Sequence, residues 1–463
     1  MTNADNKFNS RIELITGDPE KAIRKLSFPM MLTMVLALSY LIIDSIWVAG
    51  LGFNALAALG FIFPLFMIIL GLGSGLGTGT TSLISRCIGA KDKDQANNAA
   101  MHSILLTLII SIILPLISLI FLKDILIVIG AGSVLTLATE YGQIIFLGSF
   151  ALLFNGIGSS ILRAEGDMNR ATYAMAISSL LNIIIAPIFI YTLKLGISGA
   201  AIATVLSSLI SCMVIFYWIL IKKDTYLALK LRNFSFNIGI IKDILLVTLP
   251  ASVEFFIMSI TTIIINAMLI IVAGTTAVAV YTVGWRIVSL GITPAMGIET
   301  ALLIIGGVAF GAKNYKKLEL SFNYSIKLAV LISLVLAILT YIFAPSITWL
   351  FTYSSNSAIL APKIVEFIRI FCIYFIALPL GLASSSVFQA MGKGSTSLVL
   401  IIIRDLILSL IAAYILGFVL HLGANGIYWG IVIGIILGSA ISYLYFRIFL
   451  KRLKKDAINL NIN

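Results

Sequence analysis

The sequence predicts an all-α polytopic membrane protein with twelve transmembrane helices in two pseudo-symmetric six-helix lobes. Three observations predict it: apolar runs of spanning length from end to end, a one-sided distribution of basic residues, and a long-offset internal repeat.

Sixty per cent of the 463 residues are hydrophobic and 11% are charged. A soluble domain carries roughly a quarter charged residues, so this chain cannot cover a water-facing surface. About twenty apolar residues cross a bilayer core as a helix. Such runs fall at 27–49, 55–84, 101–122, 141–162, 170–193, 198–221, 244–271, 275–309, 323–345, 363–390, 396–419 and 425–446. Helices are required, because an open sheet leaves backbone groups unpaired in lipid. The first 26 residues are polar and of mixed charge. The run after them is too long for a signal-peptide core and lacks a clear cleavage site, so it is expected to stay as the first span.

A net charge of +12 invites a nucleic-acid partner, but its placement argues against one. With the N-terminus inside, the inner loops and tails hold 24 Lys and Arg residues and the outer loops only Lys123, Lys194 and Lys363. That is the positive-inside pattern of a cell-membrane protein with both termini cytoplasmic. Cys87, Cys212 and Cys372 are far apart and odd in number, which suits apolar packing rather than disulfides or a metal site.

Four segment pairs repeat in the same order. "FPMMLTMVLALSYLIID" faces "LPASVEFFIMSITTIII", and "GAKDKDQANNAAMHS" faces "GAKNYKKLELSFNYS". "RAEGDMNRAT" faces "QAMGKGSTSL", and "LGISGAAIAT" faces "LGANGIYWGI", the four offsets being 221, 222, 226 and 227. The expected organisation is an N-terminal six-helix lobe at 1–221, a cytoplasmic linker at 222–243 and a C-terminal lobe at 244–463. Transporters built this way bind substrate between the repeats and rock one against the other. Pro29 and Pro250 match in the two lead spans, and either a hinge or a helix start suits them. The run Gly71 to Gly79, glycine at every second position, sits inside a span and suits close helix packing.

Ionisable residues at membrane depth are costly and therefore functional candidates. Asp44 is the lone acid of the first span, with Tyr40 one turn earlier on the same face. A carboxylate there can bind Na⁺, carry a proton or attract a cationic drug. Glu254, four residues after Pro250, is a possible second-lobe site. Arg404 and Asp405 are neighbours whose side chains diverge by about 100°, so each is expected to need another partner in a structural network. Asn182 and Thr204 offer oxygens that a hard cation can use, though such residues also join membrane helices. Arg286 and Glu299 receive no role.

On "LIIDSIWVAGLG", "SRCIGAKDKDQANNAA", "LRAEGDMNRATYAM" and "LLNIIIAPIFIYTLKLGISGAAIAT", the chain resembles the multidrug and toxic compound extrusion (MATE) family, specifically its DNA-damage-inducible-like branch. The similarity runs over nearly the whole length. It implies two lobes around a central cleft and export of amphipathic organic cations in exchange for H⁺ or Na⁺. It also implies cation coupling at Asp44 with Tyr40, Asn182 and Thr204, any Na⁺ lying at Asp44, Asn182 and Thr204, and bending at Pro29. One position departs from the branch: Ala186, in "NIIIAPIF", stands where a second aspartate is usual.

The resulting expectation is a monomeric secondary active exporter embedded in membrane lipid, with no cofactor and no nucleic acid. A lipid or lipid-linked sugar flippase is the alternative; it needs several cations facing the substrate to hold phosphates, and the deep candidates are Arg286, Arg369 and Arg404. An enzyme finds no support, since His102 and His421 lie in no HExxH motif and Gly392-Lys-Gly-Ser-Thr396 is not a Walker A loop.

Overall fold

The computed structural model describes residues 3–222, 225–229, 232, 234–352 and 359–460, which are helical with no strand among them. The helices are α1 (Asn3–Thr16), α2 (Pro19–Ala49), α3 (Phe53–Gly89), α4 (Lys93–Val128), α5 (Leu135–Leu147), α6 (Ser149–Ala164), α7 (Met168–Thr192) and α8 (Gly196–Lys222). They continue as α9 (Ile238–Gly311), α10 (Tyr315–Trp349), α11 (Ala361–Ala390), α12 (Gly394–Val419) and α13 (Gly423–Leu460).

Ten of these are long and apolar enough to cross a membrane. The pair α5 and α6 adds an eleventh, and α9 accounts for one more. Its 74 residues would run roughly 110 Å as one helix, several times a bilayer core. They are instead two helices meeting at Gly274, whose φ of 72° and ψ of −172° only glycine adopts without strain. The described residues thus provide twelve spans.

The internal repeat is legible in the turns. Left-handed residues recur in pairs: Gly52 with Gly274, Lys91 with Lys313, Gly166 with Gly392, and Lys194 with His421. Asp92 caps α4 by accepting from Gln95 N, and its counterpart Asn314 caps α10 by accepting from Lys317 N. Wide π-helical turns also pair, at Ile188–Thr192 and Ile415–Val419.

Two expectations change. The span at 141–162 starts earlier, at Leu135, and bends by 44° between α5 and α6. At Gly148, between the two, a Cβ would meet Val205 Cγ2 of α8 at 2.1 Å, so the missing side chain lets α8 approach at the bend. Pro29 is not a helix start, because α2 begins ten residues earlier at Pro19 and Pro29 lies in its interior.

The chain forms two compact units: Met1–Asp18 with Leu32–Ser252, and Pro19–Met31 with Val253–Asn463. In unit 1, polar side chains turn inward along α4. Ser103 and Thr107 are buried and donate to the carbonyls of Ala99 and Ser103, while Ile112, Leu116 and Ile120 face outward. That inside-out distribution is the one lipid selects. Unit 2 is centred on stacked aromatics, Phe367 and Phe371 at 4.2 Å and Trp285 edge-on to Phe371 at 5.9 Å.

Of the expected linker, residues 223–224, 230–231 and 233 lie outside the described residues. The rest is strapped to unit 1. Leu227 N donates to Glu165 Oε2, Ala228 N to Asn97 Oδ1, and Asn237 N to His102 Nε2. Burial pushes the Glu165 carboxyl up to about 8, against the lowering effect of the Leu227 hydrogen bond. Beside it, α1 is fastened by the Arg11–Asp167 ion pair at 2.6 Å.

Candidate functional site

Asp44 lies in α2, five residues before its end, and is 7% exposed. It lines a cavity of about 460 Å³ in unit 1 together with Tyr40, Ser45, Phe63, Phe66 and Tyr141. Tyr40 stands one turn away and donates from Oη to Thr204 Oγ1 at 3.2 Å. Asn182 Nδ2 donates to the same oxygen, also at 3.2 Å. Thr204 therefore joins α2, α7 and α8 through one hydroxyl. Tyr191 closes the same helix group by donating to Trp47 O at 2.6 Å.

The polarity of this cluster is one-sided. Asp44 Oδ1 and Asn182 Oδ1 are buried and accept no hydrogen bond. Tyr40 spends its hydroxyl proton, and Asn182 one of its two amide protons, on Thr204. Buried acceptors without donors are expensive, so the cluster calls for a positive partner, either a proton on Asp44 or a cation among the oxygens. Oxygen donors of this kind suit a hard cation. No hydrogen bond joins Asp44 directly to Asn182 or Thr204 among the described residues; Tyr40 is the link. Ala186, one turn from Asn182, is fully buried in the same core as Val48 and Ile62.

In unit 2, Glu254 lines a larger cavity, with about 800 Å³ of empty volume. Its walls include Met258, Thr261, Tyr281, Trp285 and Tyr374. The Arg404–Asp405 pair also lines it, and here the sequence reading is corrected. Rather than diverging, Arg404 Nε and a terminal nitrogen bind the two Asp405 oxygens, both at 2.8 Å. The segment Ile402–Leu408 is wound as a wide π-helix, and the long arginine folds back over its neighbour. Glu254 shares the cavity with this pair and feels Arg404 as an attractive and Asp405 as a repulsive charge. Glu299 lines a separate small void beside Ser325 and Pro379 but still feels the charges of Glu254 and Arg404.

Tyr141 and the aromatic walls of both cavities were not singled out from the sequence. The tyrosines signalled only a polar tip on an apolar run, common to many membrane tyrosines, and Phe63 and Phe66 gave no signal at all.

The MatE family model matches residues 29–188 and 250–415, one stretch in each repeat. The chain belongs to the MatE family. Among curated relatives of this MatE protein, the probable multidrug resistance protein NorM of Thermotoga maritima is 24% identical over 92% of both chains. A solved MATE structure in complex with MaL6 is 42% identical, covering 96% of this chain and 99% of its own, with a TM-score of 0.94. Another, the outward-facing conformation of a multidrug resistance MATE transporter of the MOP superfamily, is 42% identical with a TM-score of 0.93, covering 96% and 98%.

Proposed function

We propose that this MatE protein is a secondary active multidrug exporter that moves amphipathic organic cations out of the cell in exchange for H⁺ or Na⁺. It works as a monomer in the cell membrane, with both termini cytoplasmic. The observation that carries the reading is the pair of buried acceptors, Asp44 Oδ1 and Asn182 Oδ1, with Asp44 lining a cavity walled by Phe63, Phe66 and Tyr141. A carboxylate without a fixed counter-charge alternates naturally between coupling ion and cationic drug. The larger cavity of unit 2 combines the Glu254 carboxylate with aromatic faces that attract organic cations. Because Ala186 removes the second carboxylate of the branch, the balance favours H⁺. Protonation needs one carboxyl, whereas Na⁺ wants several oxygen ligands.

The flippase alternative needs a row of interior cations. Arg286 and Arg369 are exposed side chains of unit 2, Arg369 lying over the Tyr341 ring at 5.1 Å. Arg404 is interior but bound to Asp405. Of the three, the interior guanidinium is thus already engaged by a carboxylate, which disfavours a phosphate site there.

The test is cationic-dye export from vesicles under separately imposed Na⁺ and H⁺ gradients. Export is expected in the parent and lost in Asp44→Asn, with the variant still folded by thermal unfolding. Gradient-driven export by Asp44→Asn at the parent rate would overturn the assignment.

A further inference from the structure

The glycine run of α3 has a tenant. A Cβ on Gly75 would lie 2.1 Å from Ser252 Oγ, 2.6 Å from Thr248 O and 2.8 Å from Ser252 N. One on Gly79 would lie 2.4 Å from Thr248 Oγ1 and 2.6 Å from Ile244 O. The first turns of α9 are thus seated in a groove that only glycine leaves open, with backbone against backbone. This contact lies inside unit 1, although α9 passes into unit 2 immediately afterwards, at Val253.

The seat is close but poorly bonded. Thr248 and Ser252 are 1% and 3% exposed, and their hydroxyls have no hydrogen-bond partner among the described residues. Further along α9, Ser259, Thr262, Thr282, Ser289, Thr293 and Thr300 each donate to a carbonyl one turn back. Thr248 and Ser252 forgo that ordinary bond and point at the glycines. A close contact in which two buried hydroxyls find no protein partner is held by packing, and opening it exposes both hydroxyls to solvent.

The repeat supplies a comparison. Gly297 of α9 occupies the position equivalent to Gly75, and its Cβ would lie 2.8 Å from Met31 N in α2. Both contacts therefore bring a glycine to the turn after a lead-helix proline, Pro29 in one case and Pro250 in the other. On the α2 side, however, Ser27 donates to Ile23 O at 2.7 Å, so that hydroxyl is satisfied. The unsatisfied seat is the one on α9. Pro250 cannot donate to the carbonyl one turn earlier, which weakens the helix beside the boundary.

We infer that residues 238–252 are a releasable latch, seated in the Gly75–Gly79 groove at rest and leaving it once per transport cycle by bending at Pro250. The inference rests on the export cycle proposed above and goes beyond it by naming the element that lets go. Movement is absorbed where the helix lacks a bond, and the glycine groove permits reseating without side-chain repacking.

The test places cysteine at position 252 (Ser252→Cys) in a chain whose three native cysteines are replaced by alanine, reconstituted in vesicles. A hydrophilic maleimide is present on both faces, and Lys242→Cys, an exposed position, serves as the positive control. Labelling of Ser252→Cys is expected to be slow at rest and to rise severalfold during dye export. Unchanged labelling while export proceeds would overturn the latch. Gly75→Val, which fills the groove, is expected to abolish export and make labelling of Ser252→Cys fast at rest. Slow resting labelling in a folded Gly75→Val protein would also overturn it; if that variant does not insert, the turnover comparison decides. Absence of dye export in the parent would count against the substrate reading, and the resting comparison with Gly75→Val, which needs no substrate, then decides the latch separately.

Discussion

Replacing Thr204 with valine removes one atom on which three helices converge. Valine keeps the shape of threonine and offers no acceptor. Tyr40 Oη and Asn182 Nδ2, both at 3.2 Å from the lost oxygen, are then left without a partner. A buried donor left unsatisfied costs about 1–3 kcal/mol. Asn182 is fully buried and incurs the upper part of that range. Tyr40 borders the cavity, where water can reach it, and incurs the lower part. Together the loss is about 2–4 kcal/mol. Whatever share of it falls on the cation-bound state weakens apparent ion affinity about tenfold per 1.4 kcal/mol. Thr204→Ser keeps the acceptor and should stay close to the parent. The assay pairs thermal unfolding of the purified protein with dye export titrated against the driving ion. If Thr204→Val matches Thr204→Ser in both, the shared hydroxyl does not organise the site.

Three further predictions concern other parts of the molecule. Ala186→Asp should add Na⁺ dependence to export at fixed pH while lowering thermal stability in Na⁺-free buffer, since the new carboxylate is buried; export unchanged by Na⁺ in a folded variant would count against position 186 sharing the Asp44 site. The Glu165 carboxyl is raised from 4.5 to about 8, so the native strap holds its proton more tightly than the unfolded chain does. Its stabilising effect is present below the unfolded value and is lost as pH rises through about 8. Amide exchange at Leu227, corrected for intrinsic rate, should therefore speed up across that window in the parent and follow a flatter profile in Glu165→Gln. Single cysteines at Lys194 and Lys316, both exposed, should label from opposite faces of the membrane; labelling from the same face would refute the topology.

Much of this was written locally in the chain. Twelve spans could be read from run length, because a bilayer imposes one length on every helix that crosses it. The repeat was legible because its turns demand particular residues. Gly52 and Gly274, or Asp92 and Asn314, satisfy backbone requirements that do not depend on distant partners. Asp44 was legible for a similar reason: an acid in an apolar run is conspicuous whatever surrounds it. Tyr40 followed from it through the helical period alone.

Other features needed the tertiary structure. No spacing rule places Tyr141 beside Asp44, or makes one hydroxyl of Thr204 accept from both α2 and α7. Those contacts join residues on different helices, Tyr40 and Thr204 being 164 positions apart, and helix packing chooses them. The approach of Val205 to Gly148 is a choice of the fold, and the Arg404–Asp405 pairing depends on π-helical winding that adjacency in sequence argues against. The glycine run of α3 announced close packing without naming its neighbour, and only the fold seats Thr248 and Ser252 there. The sequence by itself determined which segments cross the membrane, how they repeat and where charge is anomalous, since each follows from solvent and local geometry. Only the tertiary structure decided which oxygens face one another and which helix fills which groove, because long-range packing selects among faces that are locally equivalent.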